Sequence, residues 1–539
     1  MDGFGPGPRA RLWSLALALA LVAMGPAVAG GAAVAPAADP ADVLTFHGDN
    51  LRSGRQPAEA VLTPQALAGG GLGQAWTSPT LDGDVYGQPL YVHGLDIGGQ
   101  PHDALYVATE ADSVWALDAR TGQALWGPVT VGTPAPRSAL PCGNIDPVGI
   151  TGTPVIDPQR GALYAVALTT PDGGTTLQYE LVALALATGA ELPGFPVAVG
   201  PGTPAFDPHV QEQRGALTLL PGGNTLDIPF GGYFGDCGDY HGHVTQVWLP
   251  NPAHQADYST PTGREGGLWT AGGLAYGPEG ALFGVTGNSD GASPGDMGNS
   301  VLRLLPTPHL SQPAGPSGFF APSNALSLDR ADRDLGSGGP LLLPRQPGPY
   351  PYLLFTMGKQ GVGYLIDRWL PGGIGTGDGV AGEGVFSTCM YGDCGAQAAV
   401  FTTASSVLTG DGSQYVLTAG RAAQAPPCTG SGGLEAWRLV TGAGVWQPHL
   451  ALAWCGPSMA DPGSPTVSSN GTDGVVAWVI DTAADRLLAL DGQTGHLLWE
   501  SSARGSGALP PVHRFTVPTV ADGQVFVGGK REVVAYGLG

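Results

Sequence analysis

The stretch Ala104–Trp126, ALYVATEADSVWALDARTGQALW, decides the fold. Residues Ala104–Thr109 read as a strand, Glu110–Asp112 as a turn and Ser113–Asp118 as a second strand. A tight turn at Ala119–Gly122 then leads into a third strand that enters Trp126. Period-two alternation bounded by Asp, Thr and Gly is the mark of short strands joined by hairpins. The same unit returns at Gly474–Trp499, GVVAWVIDTAADRLLALDGQTGHLLW. A strand–turn–strand–turn–strand unit that recurs with a Trp at its end announces a repeat architecture.

Working outward, strand-rich units follow one another at Gly87–Trp126, Gly149–Leu192, Gly215–Pro250, Leu268–Leu305, Gly338–Leu370, Val400–Trp446, Ser464–Trp499 and Phe515–Tyr536. Several open alike, with Pro or Gly before a branched apolar run: Gln88-Pro89-Leu90, Thr153-Pro154-Val155, Ser464-Pro465-Thr466 and Val517-Pro518-Thr519. Such an opening suits an innermost strand, where backbones crowd and a Pro at the first position forfeits no ladder bond. Sheets that bury both faces need neighbours all round, and closure into a propeller supplies them. The last unit has only three strands, whereas Gln74–Leu81 stands alone near the start. The reading is therefore an all-β, eight-bladed β-propeller of four-stranded antiparallel blades, closed by pairing of N- and C-terminal strands. Seven blades stay open if one divergent middle unit is an insertion.

The 539 residues include 89 Gly and 50 Pro, which fall between apolar runs and read as turn residues. Lys+Arg is 22 against Asp+Glu 44, a net charge of −22, which repels nucleic acid and anionic membranes. Arg9 and Arg11, the apolar run Leu12–Met24 and the small residues Ala27-Val28-Ala29 make a secretory signal peptide over 1–29. The run is too short to span a membrane comfortably. A flexible lead-in over 30–42 and a single propeller domain over 43–539 follow. Long separators fall near 131–148, 195–214, 251–267, 307–336 and 371–399. The expected product is a monomer that is secreted, periplasmic or extracellular. Its six cysteines permit three disulfides. Cys389 and Cys394 can close a small loop, and Cys428 with Cys455 and Cys142 with Cys237 follow from order alone.

The phrases Leu117-Asp118-Ala119-Arg120-Thr121-Gly122…Trp126 and Leu490-Asp491-Gly492-Gln493-Thr494-Gly495…Trp499 resemble those of the quinoprotein-like, PQQ-binding-like repeat propellers. Degenerate copies lie at Leu186–Gly189 and Leu439–Trp446. The resemblance is stronger to an exported bacterial subgroup, through Leu44–Gly54 (LTFHGDNLRSG), Asp239-Tyr240-His241-Gly242, Asp334–Pro340 and Gly358-Lys359-Gln360-Gly361. It covers nearly all of the chain beyond the leader and speaks for fold more than for activity. The resemblance implies that a Trp docks between blades at each clear repeat.

Active relatives hold a tricyclic quinone, PQQ, over a Trp and under an adjacent-Cys disulfide, with Ca²⁺ beside it and an Asp as base. The resemblance carries Asn288 to a metal ligand, Asp334 to the catalytic base, and Lys359 to a cation touching the quinone. Trp269 at an inner-strand start could floor the pocket or plug it. Glu110 and Glu265 are positional candidates for the first metal ligand. Read without the resemblance, Asp334 caps a turn before glycines, Lys359 makes a blade-top salt bridge and Asn288 forms an Asx turn. His241 and His243, two apart and so on one strand face, form a weak alternative metal cluster with Asp236, Cys237 and Asp239 nearby. The chain departs from the active pattern: it has no adjacent Cys pair, no clear first Glu ligand and no C-x-x-C-H haem site.

Two functions follow. The first, which the departures favour, is a ligand- or protein-binding scaffold without catalysis, its partner an envelope or extracellular protein or a small ligand. The second is a PQQ- and Ca²⁺-dependent dehydrogenase of alcohols or sugars, which Asn288, Asp334 and Lys359 favour.

Overall fold

The computed structural model describes residues 1, 3 and 39–539, except 201–205, 291–294, 308, 376–384, 393, 395–398, 443–446 and 502–506. Most of the expected signal peptide and lead-in, and Trp446, lie outside the described residues. The propeller lies within the compact unit Ala37–Gly539.

Eight sheets of four main strands follow one another along the chain. Their innermost strands are Leu90–Ile97 in blade 1, Val155–Asp157 in blade 2, Thr218–Leu219 in blade 3 and Ala275–Tyr276 in blade 4. Those of blades 5 to 8 are Leu341–Leu342, Ser405–Leu408, Thr466–Asn470 and Thr519–Ala521. Those of blades 1, 2, 7 and 8 begin just after Pro89, Pro154, Pro465 and Pro518, the phrases singled out in the sequence. Middle strands are apolar throughout because each blade is covered on both faces: all eight residues of Ala162–Thr169 are buried. Blade 8 takes its outer strand from the other end of the chain. Leu72–Thr77 runs antiparallel to Val533–Leu538, with Leu72 opposite Leu538 and Thr77 opposite Val534. This pairing closes the ring.

Three stretches that read as separators contribute outer strands: Gln255–Ser259 to blade 3, Phe319–Ala321 to blade 4 and Val385–Cys389 to blade 5. At three to five residues each they are too short to impose a clear period-two pattern on the sequence. Helices are limited to Pro64–Ala68, Ala325–Arg330 and short 3₁₀ turns among the described residues. None is long and apolar enough to cross a membrane.

The repeated Thr-Gly…Trp phrase is a docking device. Gly122 has φ +72°, and a Cβ there would stand 2.4 Å from the indole of Trp76. The same indole donates Nε1–H to Ala119 O at 2.9 Å. Gly189 and Gly495 receive Trp126 and Trp454 in the same way, with indole bonds to Leu186 O and Gly492 O. In blade 6 the docking indole is therefore Trp454 on the outer strand. Asp118 Oδ1 accepts from Arg120 N, Thr121 N and Thr121 Oγ1, which makes it a turn residue.

The segment Val43–Gln56 runs inside the ring and bonds the inner strands in turn. Val43 bridges Tyr91 of blade 1, and Leu44 O accepts from Ile156 N of blade 2. Asn50 O, Leu51 O, Ser53 O and Gly54 O accept from Tyr276, Leu342, Ser406 and Val467 of blades 4 to 7. Blade 3 is reached by Arg52, which is fully buried. Its guanidinium donates to Leu217 O, Thr218 Oγ1, Leu274 O, Thr45 Oγ1 and Phe46 O. Phe46, 1% exposed, packs with Ala216 and Val517 from opposite sides of the ring. The phrase Leu44–Gly54 is thus an internal belt that fills the channel behind the site.

All three disulfides pair as the order suggested: Cys142–Cys237, Cys389–Cys394 and Cys428–Cys455. They stabilise a chain that works outside the reducing cytoplasm.

Candidate functional site: a cavity at one end of the channel

A cavity of about 610 Å³ opens at one end of the channel, among the residues that precede the inner strands of several blades. Trp269 and Phe515 form part of its wall, edge to face with ring centroids 6.3 Å apart. Two residues further on, Ala271 and Val517 pack on Phe46 of the belt, so the aromatic wall is backed by core.

Trp269, Glu265, Asn288, Asp334 and Lys359 all line this one cavity. Their convergence rests on backbone steps between neighbouring turns. Glu265 N donates to Tyr240 O, Gly266 N to Asn288 O and Gly287 N to Gly267 O. Asn288 N donates to Asp334 Oδ1 at 2.6 Å, and Lys359 N donates to Asp334 O at 2.9 Å. Gly287 must lack a side chain, since a Cβ would stand 2.6 Å from both Asp334 Oδ1 and Trp269 Nε1.

Lys359 Nζ lies 2.5 Å from Asp334 Oδ2 and 2.6 Å from Asp332 Oδ1. Burial opposes its charge, but the two carboxylates outweigh burial and hold the ammonium above its usual range. Burial pushes the Asp334 carboxyl up, against the pull of Lys359 and of the Asn288 N–H. The Asn288 side chain is engaged: its Oδ1 accepts from Asn299 and its Nδ2 donates to Asp332. Asn299 and Asp329 brace this corner, with Asn299 Nδ2 donating to Asp329 Oδ1 and Asn299 Oδ1 accepting from Leu335 N.

The three Lys and Arg residues that line the cavity each sit over an aromatic ring. Lys359 Nζ is 6.0 Å from the centre of Trp269, Arg214 lies 4.3 Å over Phe515 and Arg514 lies 5.1 Å over Phe401. Such contacts fix positive charge against flat surfaces. Glu212 also lines the cavity, buried and 3.7 Å from Arg214; burial pushes its carboxyl up. Sequence reading passed over Glu212, Arg214 and Phe515, although the Gln213-Arg214-Gly215 step before an inner strand echoes the other blades. Cys142 Sγ would stand 3.6 Å from a Cβ on Gly235, which lines the cavity. A disulfide between distant cysteines therefore stands at the rim, where sequence reading saw no adjacent pair.

Glu110 takes another place. It is 2% exposed, does not line the cavity, and accepts at Oε2 from Gly149 N and Thr151 Oγ1. His241 bonds Thr262 Oγ1 through Nδ1. His243 is buried, with Nδ1 on Ser259 Oγ and Nε2 on Thr245 Oγ1 and Asp257 Oδ1. Cys237 is in a disulfide. Both ring nitrogens of His243 are thus occupied by its own blade.

The cavity offers indole and phenyl faces, hard oxygen atoms from Glu212, Glu265 and Asp334, and three cations each set against a carboxylate: Lys359 against Asp334 and Asp332, Arg214 against Glu212, and Arg514 against Asp461.

A family described as outer membrane protein assembly factor BamB matches residues 397–538, the last three blades. The described residues form an eight-bladed β-propeller, and the matched segment is about a quarter of the chain. Among solved structures, this propeller resembles the quinohemoprotein alcohol dehydrogenase of Comamonas testosteroni at 17% identity and TM-score 0.61, over 93% of this chain and 81% of that one. A quinohemoprotein alcohol dehydrogenase of Pseudomonas putida HK5 gives 18% identity and TM-score 0.59, over 93% and 81%. A europium-containing methanol dehydrogenase gives 14% and 0.59, over 93% of this propeller and 98% of that chain. At such identities the likeness is one of fold. No curated protein sequence matches the propeller significantly.

Proposed function

We propose that this propeller is an exported binding protein whose channel-end cavity takes a flat, acidic small molecule of the quinone-cofactor class. The observation that carries the reading is the convergence of Trp269, Arg214, Lys359 and Arg514 on one cavity of about 610 Å³. A rigid aromatic wall supplies contact area, and cations held over rings supply charge without the cost of ordering free side chains. The reading of 1–29 as a leader and the three disulfides support export.

A second reading, a quinone- and Ca²⁺-dependent dehydrogenase of alcohols or sugars, is favoured by the position of Asp334. Its carboxyl is raised by burial, faces the cavity and is fixed by Asn288 N, as a base for a substrate hydroxyl requires. When bound, the quinone would supply the electron acceptor and Ca²⁺ would polarise it. Lys359 would hold Asp334 in place, while Trp269 and Phe515 would keep water from the flat face. The tight Lys359–Asp334–Asp332 cluster favours binding alone, because it occupies the carboxylate that the base role needs free.

Dye-linked oxidation of small alcohols and aldoses, after incubation with PQQ and Ca²⁺, separates the two. Turnover that Asp334→Asn abolishes supports the dehydrogenase. A bound quinone without turnover leaves the binding protein.

A further inference from the structure

The seam between blades 8 and 1 carries a second cleft, of about 320 Å³, on the side of the ring where the two ends of the chain pair. Asp103 and Tyr91 come from blade 1, and Asp522 comes from the first hairpin turn of blade 8. His93, on the same inner strand as Tyr91, turns its ring toward Asp103. One ligand atom from each of His93, Asp103 and Asp522 lies within 4.8 Å of the others. His93 Nδ1 and Asp103 Oδ1 are 3.0 Å apart. With bonds of about 2.0 Å, neighbouring ligands of a four-coordinate ion stand about 3 Å apart, so this spacing suits coordination as well as a hydrogen bond.

A second, independent observation points into the same cleft. Tyr91 is 1% exposed and lines the cleft, yet its hydroxyl has no hydrogen-bond partner among the described residues. A buried hydroxyl left unpaired carries a desolvation cost, and the ring is already committed to packing against Phe526.

We propose that His93, Asp103 and Asp522 form a divalent transition-metal site of the zinc class that clasps blade 8 to blade 1. One imidazole and two carboxylates form a mixed nitrogen and oxygen set, suited to Zn²⁺ or Co²⁺ and poor for soft ions. The Tyr91 hydroxyl would stand beside the ion's open position. Arg120 is the internal competitor: its guanidinium spans Asp103 Oδ2 at 2.6 Å and Asp522 Oδ2 at 3.5 Å, from a side chain that is 69% exposed. An ion and the Arg120 charge cannot share these two carboxylates, so the exposed side chain swings out when metal enters. The clasp joins blade 1 to blade 8, the blade built from both ends of the chain, and its effect is on ring opening rather than on the channel cavity.

The test is titration of metal-stripped full-length protein with Co²⁺ and Zn²⁺, read by visible absorbance, calorimetry and thermal midpoint. One ion per chain should bind and raise the midpoint by several degrees. His93→Ala and Asp522→Asn should each weaken binding at least tenfold, whereas Arg120→Gln should tighten it. Asp334→Asn, in the distant cavity, should leave it unchanged. Absence of binding to both wild type and Arg120→Gln overturns the clasp. Binding that survives both His93→Ala and Asp522→Asn, or that falls with Asp334→Asn, also overturns it by placing the ion elsewhere.

Discussion

Lys359 and Asp334 are joined twice, by an Nζ–Oδ2 contact of 2.5 Å and by a backbone bond from Lys359 N to Asp334 O. Both side chains are nearly buried, at 8% and 7% exposure, on the wall of the channel-end cavity. A buried pair of this kind fixes geometry more than it adds stability, because each ion has lost its water.

Removing one partner should therefore cost more than removing both. Lys359→Met is expected to lose about 3 kcal/mol or more in urea denaturation. The double replacement Lys359→Met with Asp334→Asn should recover most of that loss, giving a clear coupling energy in the cycle.

Stability should fall as pH rises from about 5 to about 8. Burial raises Glu110 and Glu435 to about 8, against the N–H and O–H bonds that Glu110 accepts and the two N–H bonds that Glu435 accepts, and raises Asp227 to about 7. Between the ordinary carboxylate range and these values the folded chain holds protons that the unfolded chain has released, so stability decreases with pH. The contribution is complete below about pH 4 and lost above about pH 8. Thermal midpoints of wild type across this range should slope downward, and Glu110→Gln with Glu435→Gln should flatten the slope.

The docking glycines are sensitive to a single methyl group. Gly122→Ala would bring Cβ against Trp76 at a backbone with φ +72°, and should cost about 2–4 kcal/mol. Gly94→Ala, with φ +59° but open space around it, isolates the backbone part and should cost about 1 kcal/mol. Equal losses in chemical denaturation would contradict the docking role.

Arg52 holds the internal belt to blades 3 and 4. Arg52→Met removes five hydrogen bonds from the core and leaves the carbonyls of Leu217 and Leu274 with their hydroxyl donors, Thr45 Oγ1 and Thr218 Oγ1. The loss should reach several kcal/mol, with faster proteolytic cutting between residues 43 and 56.

The ring was legible because its signals are local and repeat. Alternation, Pro/Gly openings and the Thr-Gly…Trp phrase state the blade at Ala104–Trp126, and the odd strand near Gln74 states how the ring closes. The outer strands Gln255–Ser259 and Phe319–Ala321 were not legible: the first is half-exposed and shows no clear alternation, and the second is buried throughout but only three residues long. Trp454 was missed as a docking residue because it lies on the outer strand of blade 6, away from that blade's Thr-Gly turn. For the site, the turns that carry Asn288, Asp334 and Lys359 could be read from short Gly-rich phrases. Glu212, Arg214 and Phe515 could not, because they acquire their place only when distant blades meet across the channel. Glu110 reads like a cavity residue in sequence, but its carboxylate turns back to cap Gly149 and Thr151.

The central claim is that the channel-end cavity binds a flat, acidic molecule, and fluorescence titration of the purified protein with PQQ in the presence of Ca²⁺ tests it most directly. The account predicts saturable quenching with one PQQ per chain, weakened at least tenfold by Lys359→Met and by Trp269→Ala. Quenching that never saturates, or a saturable site indifferent to both substitutions, would contradict it.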